Sequence, residues 1–129
     1  MLFWLLTAIA VYYVQVFLPA VFKLLNAGLP AYVGKRETDV PLTDAPGRID
    51  RASANMRENF PAFAALALAA LALGVGDNAQ AVLGAKIFVI ARIIYIPLYA
   101  AGVPFLRSLA AAAGWAGMIM MALPLVALA

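Results

Sequence analysis

Residues 51–73 read RASANMRENFPAFAALALAALAL, a polar segment that passes directly into an apolar run. The apolar run from Phe60 to Leu73 has 14 residues, which as a helix would cover about 21 Å at about 1.5 Å per residue. The hydrocarbon core of a bilayer is about 30 Å thick. The polar residues before Phe60 must therefore reach the membrane interface or dip below it, where they are costly unless other protein groups use them.

The composition of the whole chain indicates a membrane location. The chain has 129 residues, of which 67% are hydrophobic and 12% are charged, and its mean hydropathy is +0.98. A soluble domain is about half apolar and about a quarter charged. We therefore expect an integral membrane protein with about four spans, at roughly 20 residues per span.

Glycines and prolines divide the chain into predicted helices. A polar loop rich in these residues covers about 28–47, and the sequence GVGDN at 74–78 is typical of a tight turn. The predicted fold class is all-α: one domain, built as an integral membrane four-helix bundle with up-down topology. Its spans are expected at about residues 2–26, 48–74, 79–101 and 104–128.

The basic residues predict the orientation of the bundle. The basic residues at the predicted loops follow the first and third spans and are Lys35, Arg36, Arg48, Arg51 and Arg107. By the positive-inside rule, the 28–47 loop is cytoplasmic and both termini lie outside. The richness in alanine and the short length favour a bacterial inner membrane. For Lys35 and Arg36, a topology signal is the simplest interpretation.

The residue types that are missing exclude several kinds of chemistry. The chain has no cysteine and no histidine, so disulfides, histidine metal sites and Ser-His or Cys-His catalysis are excluded. We expect no metal. A net charge of +3 is too small and too scattered to indicate nucleic-acid binding.

Two polar stripes lie on predicted helices. At 100° per residue, Arg51, Asn55 and Glu58 fall within about 60° of one another on the second helix. Arg92, Tyr95 and Tyr99 do the same on the third helix.

Arg92 needs a partner because it lies mid-helix. An arginine at that depth costs about 2.5–3.5 kcal/mol on insertion scales, and we predict Glu58 as its partner. The plainer alternatives are an Arg92–Glu58 pair that only joins two helices and a Tyr99 that belongs to an interfacial aromatic belt.

Together these groups suit a small zwitterion with more negative than positive charge. Guanidinium forks match carboxylates, and a glutamate matches an ammonium. Glutathione, with two carboxylates, one ammonium and a thiol, fits this description. Phosphate head groups, amino acids and acidic peptides fit it as well.

The motifs resemble those of the MAPEG superfamily, the membrane-associated proteins of eicosanoid and glutathione metabolism. The first is Arg51-Ala-x-x-Asn55-x-x-Glu58-x-Phe60-Pro61-x-Phe63, followed by an alanine and leucine span. Arg92-x-x-Tyr95-x-x-x-Tyr99 and Arg107-Ser108 follow in the same order as in the family. The chain resembles a bacterial-type member, and by motif it is most similar to the leukotriene C synthase branch.

This resemblance implies a homotrimer that binds glutathione, as a co-substrate, between neighbouring subunits. Arg107 matches the arginine that activates the thiol, which makes it the candidate catalytic residue. The residues expected to bind glutathione are Arg51, Asn55, Glu58, Arg92, Tyr95, Tyr99 and Ser108.

The chain also departs from the family pattern. Asn59 stands where the leukotriene C synthase branch has a tyrosine contact, and Ala54 stands where another branch has an arginine. The arginine of the family's first helix has no clear counterpart, since Lys23, Lys35 and Arg36 are all displaced from its position.

The resulting hypothesis is a glutathione-dependent transferase or peroxidase that acts on hydrophobic electrophiles from the bilayer. Its expected partners are copies of itself, membrane lipids and a hydrophobic small molecule. The alternative is a non-catalytic member of the family that binds a lipid or a protein partner. A small four-span exporter is a third possibility, but such proteins need a membrane-embedded acid, and the first span has none.

Overall fold

The computed structural model of the chain describes residues 1–33 and 44–128. Over these residues it contains four helices and no strand, which confirms the predicted all-α membrane bundle. The helices are α1 (Leu2–Val33), α2 (Asp44–Ala72), α3 (Ala79–Ala100) and α4 (Pro104–Val126). Lys35 and Arg36, in the predicted loop, lie outside the described residues.

The helix ends differ slightly from the predicted ones. α1 departs from helical geometry at Gly28 (φ 75, ψ 164), close to where the first span was expected to end, and helical structure then resumes to Val33. α2 begins at Asp44, a few residues before the expected start at Arg48. α3 starts where expected because the Asn78 side chain accepts hydrogen bonds from the amides of Gln80 and Ala81, at 3.0 and 3.1 Å.

Three of the described helices are long and apolar enough to cross a membrane, within Leu2–Phe22, Ala79–Ala100 and Phe105–Val126. α2 is not among them because its first half is polar. The outer surface carries large apolar side chains such as Phe3, Phe17 and Ile119. Such an exterior suits contact with lipid or with other apolar protein surfaces.

Contacts between aromatic rings show which helices are neighbours in the bundle. Tyr12 of α1 packs on Phe60 of α2, with ring centroids 4.5 Å apart. Phe63 of α2 stacks on Phe88 of α3 at 4.3 Å, in the centre of the core. α2 and α3 form the middle of the bundle, and α1 and α4 lie to either side.

α3 and α4 approach most closely at two glycines. A Cβ atom on Gly84 would lie 2.4 Å from the carbonyl oxygen of Gly117, and one on Gly117 would lie 2.5 Å from that of Gly84. Small residues of this kind let membrane helices pack backbone to backbone. The close approach brings the first half of α4 against the polar stripe of α3.

Candidate functional site

The polar half of α2 packs against the second half of α3, at the end of the bundle where α4 begins. Asn55 is half-buried there, whereas Arg51 and Glu58 are exposed. Ser53 is buried and accepts a hydrogen bond from Arg57 one turn later, at 3.5 Å. The stripe predicted on α2 therefore has one member turned inward and two turned outward.

Arg92 is fully buried, with 0% of its surface exposed. Its Nη1 donates a hydrogen bond to Oδ1 of Asn55, and its guanidinium lies 5.0 Å from the Phe88 ring centre and 5.7 Å from that of Tyr95. Aromatic faces attract cations at such distances. One amide and two rings thus stabilise a charge in the core.

The prediction that Glu58 pairs with Arg92 is wrong. Within the described residues Arg92 makes no ion pair, and Glu58 stays exposed. Burying a carboxylate beside the guanidinium would add a second large desolvation cost, whereas a neutral amide is cheaper to bury.

Gly114 of α4 makes room for the Arg92 guanidinium. A Cβ atom on Gly114 would lie 2.9 Å from Nη2 of Arg92 and 3.3 Å from its Cζ. Nε and Nη2 of Arg92 are buried and have no hydrogen-bond partner within the described residues. The sequence pattern gave no signal for Gly114, because only the packing of α4 on α3 places it there.

Gln15 of α1 is hydrogen-bonded to the backbone of Arg92 in α3. This residue is 1% exposed, and its Nε2 donates to the carbonyl oxygen of Arg92 at 2.7 Å, while its Oε1 is buried without a partner in the described residues. Sequence reasoning missed it, although a polar amide in the middle of an apolar span was a usable signal.

Two guanidinium groups lie near the ring of Tyr99. The Cζ atom of Arg107 is 4.5 Å from the centre of this ring, and that of Arg51 is 6.0 Å away. Tyr95 lies beside Tyr99, with ring centroids 5.4 Å apart. Residues from α2, α3 and α4 therefore meet around one tyrosine.

The remaining predicted positions lie near this group. Ser108 is exposed on the first turn of α4. Asn59 donates to the backbone oxygen of Asn55 at 2.7 Å and accepts a hydrogen bond from Trp115 of α4 at 2.8 Å. Asn59 thus joins α2 to α4.

These contacts form a continuous path through Arg107, Tyr99, Tyr95, Arg92 and Asn55. Its exposed end offers two guanidinium groups that make no ion pair within the described residues, so it can bind an anion. Nowhere among the described residues do three or more acidic side chains lie close enough together to hold a metal ion.

The model of the MAPEG family matches residues 1–127, which is nearly the whole chain. No curated protein matches the chain. No solved structure matches it.

Proposed function

Since this chain belongs to the MAPEG family, we propose that it is a membrane glutathione-dependent transferase, with peroxidase activity as a variant of the same chemistry. Its second substrates are hydrophobic electrophiles that arrive from the bilayer. Glutathione is the co-substrate, and no metal takes part.

The observation that carries this proposal is the position of Arg51 and Arg107 around Tyr99, at 6.0 and 4.5 Å from the ring centre. Two guanidinium groups without a carboxylate partner among the described residues can hold the carboxylates and the sulfur of a small anionic peptide. Glu58, exposed on the same side of α2, suits the ammonium group of that peptide.

Arg107 is the proposed catalytic residue. A cysteine thiol has a pKa of about 8.5, and the thiolate is the nucleophile. A guanidinium beside the sulfur favours the charged form. Tyr99 holds the Arg107 side chain by its ring face. The thiol loses its proton to water, and the thiolate attacks the electrophilic carbon to form the C–S bond of a thioether. The bond from that carbon to its leaving group breaks at the same time, and the leaving group departs with the bonding electrons.

We propose that the protein is a homotrimer with sites completed between subunits. Arg51, Glu58, Ala62 and Ala65 share one exposed face of α2. Charged side chains facing lipid are costly, and small residues favour close helix packing in membranes. A neighbouring copy on this face would cover the charges and add a second wall to the glutathione site.

The location proposed for the protein is a bacterial inner membrane. The segment 28–47 lies on the cytoplasmic side, and so does the end of the bundle with Arg51 and Arg107. This orientation rests on the basic residues at that end. Glutathione would then reach the site from the cytoplasm, where thiols stay reduced.

The test is the ultraviolet absorbance of the thiolate when glutathione is added to the purified protein. We expect a thiolate signal in the wild type and its loss in Arg107→Ala. Arg57→Ala is the matched control, because it removes an exposed guanidinium whose hydrogen bond, among the described residues, goes to Ser53 of its own helix. A thiolate signal that survives in Arg107→Ala would remove Arg107 from the mechanism.

The alternative, a non-catalytic member that binds a lipid, is favoured by one observation. A groove of about 440 Å³ runs between α3 and α4, and its lining is aliphatic, with Ile90, Ile94 and Leu109 among its residues. An acyl chain would fit it. Turnover of a generic electrophile separates the two functions, since glutathione binding without turnover would favour the alternative.

A further inference from the structure

Arg48 lies at the start of α2 and contacts the end of α3. It is half-buried, and its Nε donates a hydrogen bond to the carbonyl oxygen of Ala100 at 3.0 Å. On sequence alone it was one of the basic residues that indicate orientation. In the structure it also joins the start of α2 to the end of α3, since Ala100 lies 52 positions further along the chain.

The last carbonyl groups of α3 accept hydrogen bonds from the turn that follows the helix. The amide of Ala101 bonds to Pro97, that of Gly102 to Tyr99 and that of Val103 to Leu98, at 2.9, 3.1 and 3.1 Å. This is the Schellman pattern, with Gly102 at φ +71 in the left-handed position. Within the described residues, this pattern leaves the carbonyl of Ala100 without a backbone donor, and the Arg48 side chain donates to it instead.

The Arg48 guanidinium also packs against the turn itself. Its Cζ, Nε and Nη1 atoms lie 3.7 to 3.9 Å from the point where a Cβ atom of Gly102 would be. A cation at the carboxyl end of a helix is favourable because it complements the helix dipole. Arg48 therefore holds the α3–α4 turn to α2 by a hydrogen bond, by contact and by charge.

This turn connects the two residues on which thiol activation depends. Tyr99 directly precedes Ala100, and Arg107 lies on the first turn of α4 after Gly102. A rotation of α4 about the turn would move Arg107 away from the Tyr99 ring, 4.5 Å from its Cζ. The geometry of the pair thus depends on the geometry of the turn.

We propose that Arg48 is a positioning residue, which clamps the α3–α4 turn so that Arg107 stays on Tyr99 and beside the glutathione sulfur. It acts through the turn and does not touch the ligand. The thiol part of this inference rests on the proposed function.

The test compares Arg48→Met and Arg48→Gln, neither of which can supply the guanidinium contact, with Arg57→Met as a control of equal charge change on the same helix. Hydrogen–deuterium exchange is measured for the peptide that covers residues 100–107, without glutathione. We expect exchange about tenfold faster or more in both Arg48 variants, as for loss of a hydrogen bond from a charged donor. Arg48→Lys keeps the positive charge, so the exchange rate of this peptide should be intermediate between the rates in the other two variants and in the wild type.

The thiolate absorbance and the kinetics are then measured with glutathione. The Arg48 variants should lose thiolate at a given pH and lose kcat more than they raise KM, because glutathione still binds but its thiol is less activated. Arg57→Met should match the wild type. Arg48→Gln serves if Arg48→Met does not fold, since glutamine keeps a polar end.

Two results would separate this inference from the proposed function. If the wild type and the Arg48 variants show the same thiolate signal and the same exchange rates, the role of Arg48 is overturned. The proposed glutathione chemistry would still stand. Faster exchange in the Arg48 variants together with no thiolate in the wild type would leave the clamp in place and contradict the glutathione chemistry.

Discussion

The guanidinium of Arg92 donates a hydrogen bond to Oδ1 of Asn55, so a neutral amide on α2 holds a charge that is fully buried in α3. A guanidinium has donors only, and its partner atom must be the amide oxygen. The Asn55 amide is thereby oriented, and its Nδ2, which makes no hydrogen bond within the described residues, stays available as a donor. Arg92 is therefore better placed to orient Asn55 than to touch glutathione itself.

Exchanging this amide for an acid should separate folding from binding. Asn55→Asp keeps an oxygen for Arg92 and adds an opposite charge. Because residue 55 is only half-buried, its carboxylate keeps part of its hydration, so the protein should fold. It replaces the free donor by an acceptor, and glutathione affinity should fall about tenfold or more, as for loss of a hydrogen bond to a charged group. Isothermal titration with glutathione measures this, and wild-type affinity would contradict the donor role.

Removing the amide should instead destabilise the fold. Asn55→Leu leaves a buried guanidinium without its hydrogen-bond acceptor, which should cost about 1–3 kcal/mol of stability. Thermal unfolding in detergent provides the measurement, with Asn55→Asp as the matched variant. Equal stability of the two variants would mean that the bond to Arg92 contributes little.

Gly114 should not tolerate a methyl group. Alanine is favoured over glycine inside a helix by about 1 kcal/mol, so a helix without the steric conflict should gain stability. The new Cβ would lie 2.9 Å from Nη2 of Arg92, and we expect Gly114→Ala to lose stability and glutathione affinity. Gly76→Ala is a control for an added methyl group in the turn between α2 and α3, where the new Cβ would meet the end of the Leu71 side chain at 3.0 Å. A stabilised Gly114→Ala would refute the assigned contact.

The ring of Tyr99 should matter more than its hydroxyl for Arg107. Tyr99→Phe keeps a ring under the guanidinium, whereas Tyr99→Leu removes it. We expect the thiolate fraction to fall about two- to fivefold in the leucine variant relative to phenylalanine, since such a contact is worth about 0.5–1 kcal/mol at partly exposed sites. The thiolate fraction is measured by its absorbance at a fixed pH. Equal thiolate fractions in the two variants would show that the ring of residue 99 does not support Arg107.

Gln15 should be replaceable at small cost. Gln15→Leu loses the 2.7 Å bond to the Arg92 carbonyl but also removes a buried oxygen that has no partner in the described residues. These effects oppose each other, and the change in stability should stay within about 1 kcal/mol. Chemical unfolding of the two proteins measures it. A loss several times larger would show that the join between α1 and α3 is essential.

Much of this protein was predictable from its residues because membrane helices obey strong local rules. Apolar length, breaker residues and the spacing of Arg51, Asn55 and Glu58 predicted four helices and a polar face at one end, and the family match confirms the resemblance. The roles of the site residues, the trimer and the orientation stay predictions.

The partners of the buried groups depended on the tertiary structure. Helical periodicity shows which residues share a face, but it does not give the depth or the register of one helix on another. Arg92 meets Asn55 and not Glu58, and Gly114 and Gln15 surround it from two other helices. The sequence by itself determined the helices and their polar stripes, whereas only packing decided which stripe member is buried, because desolvation favours a neutral amide over a second charge.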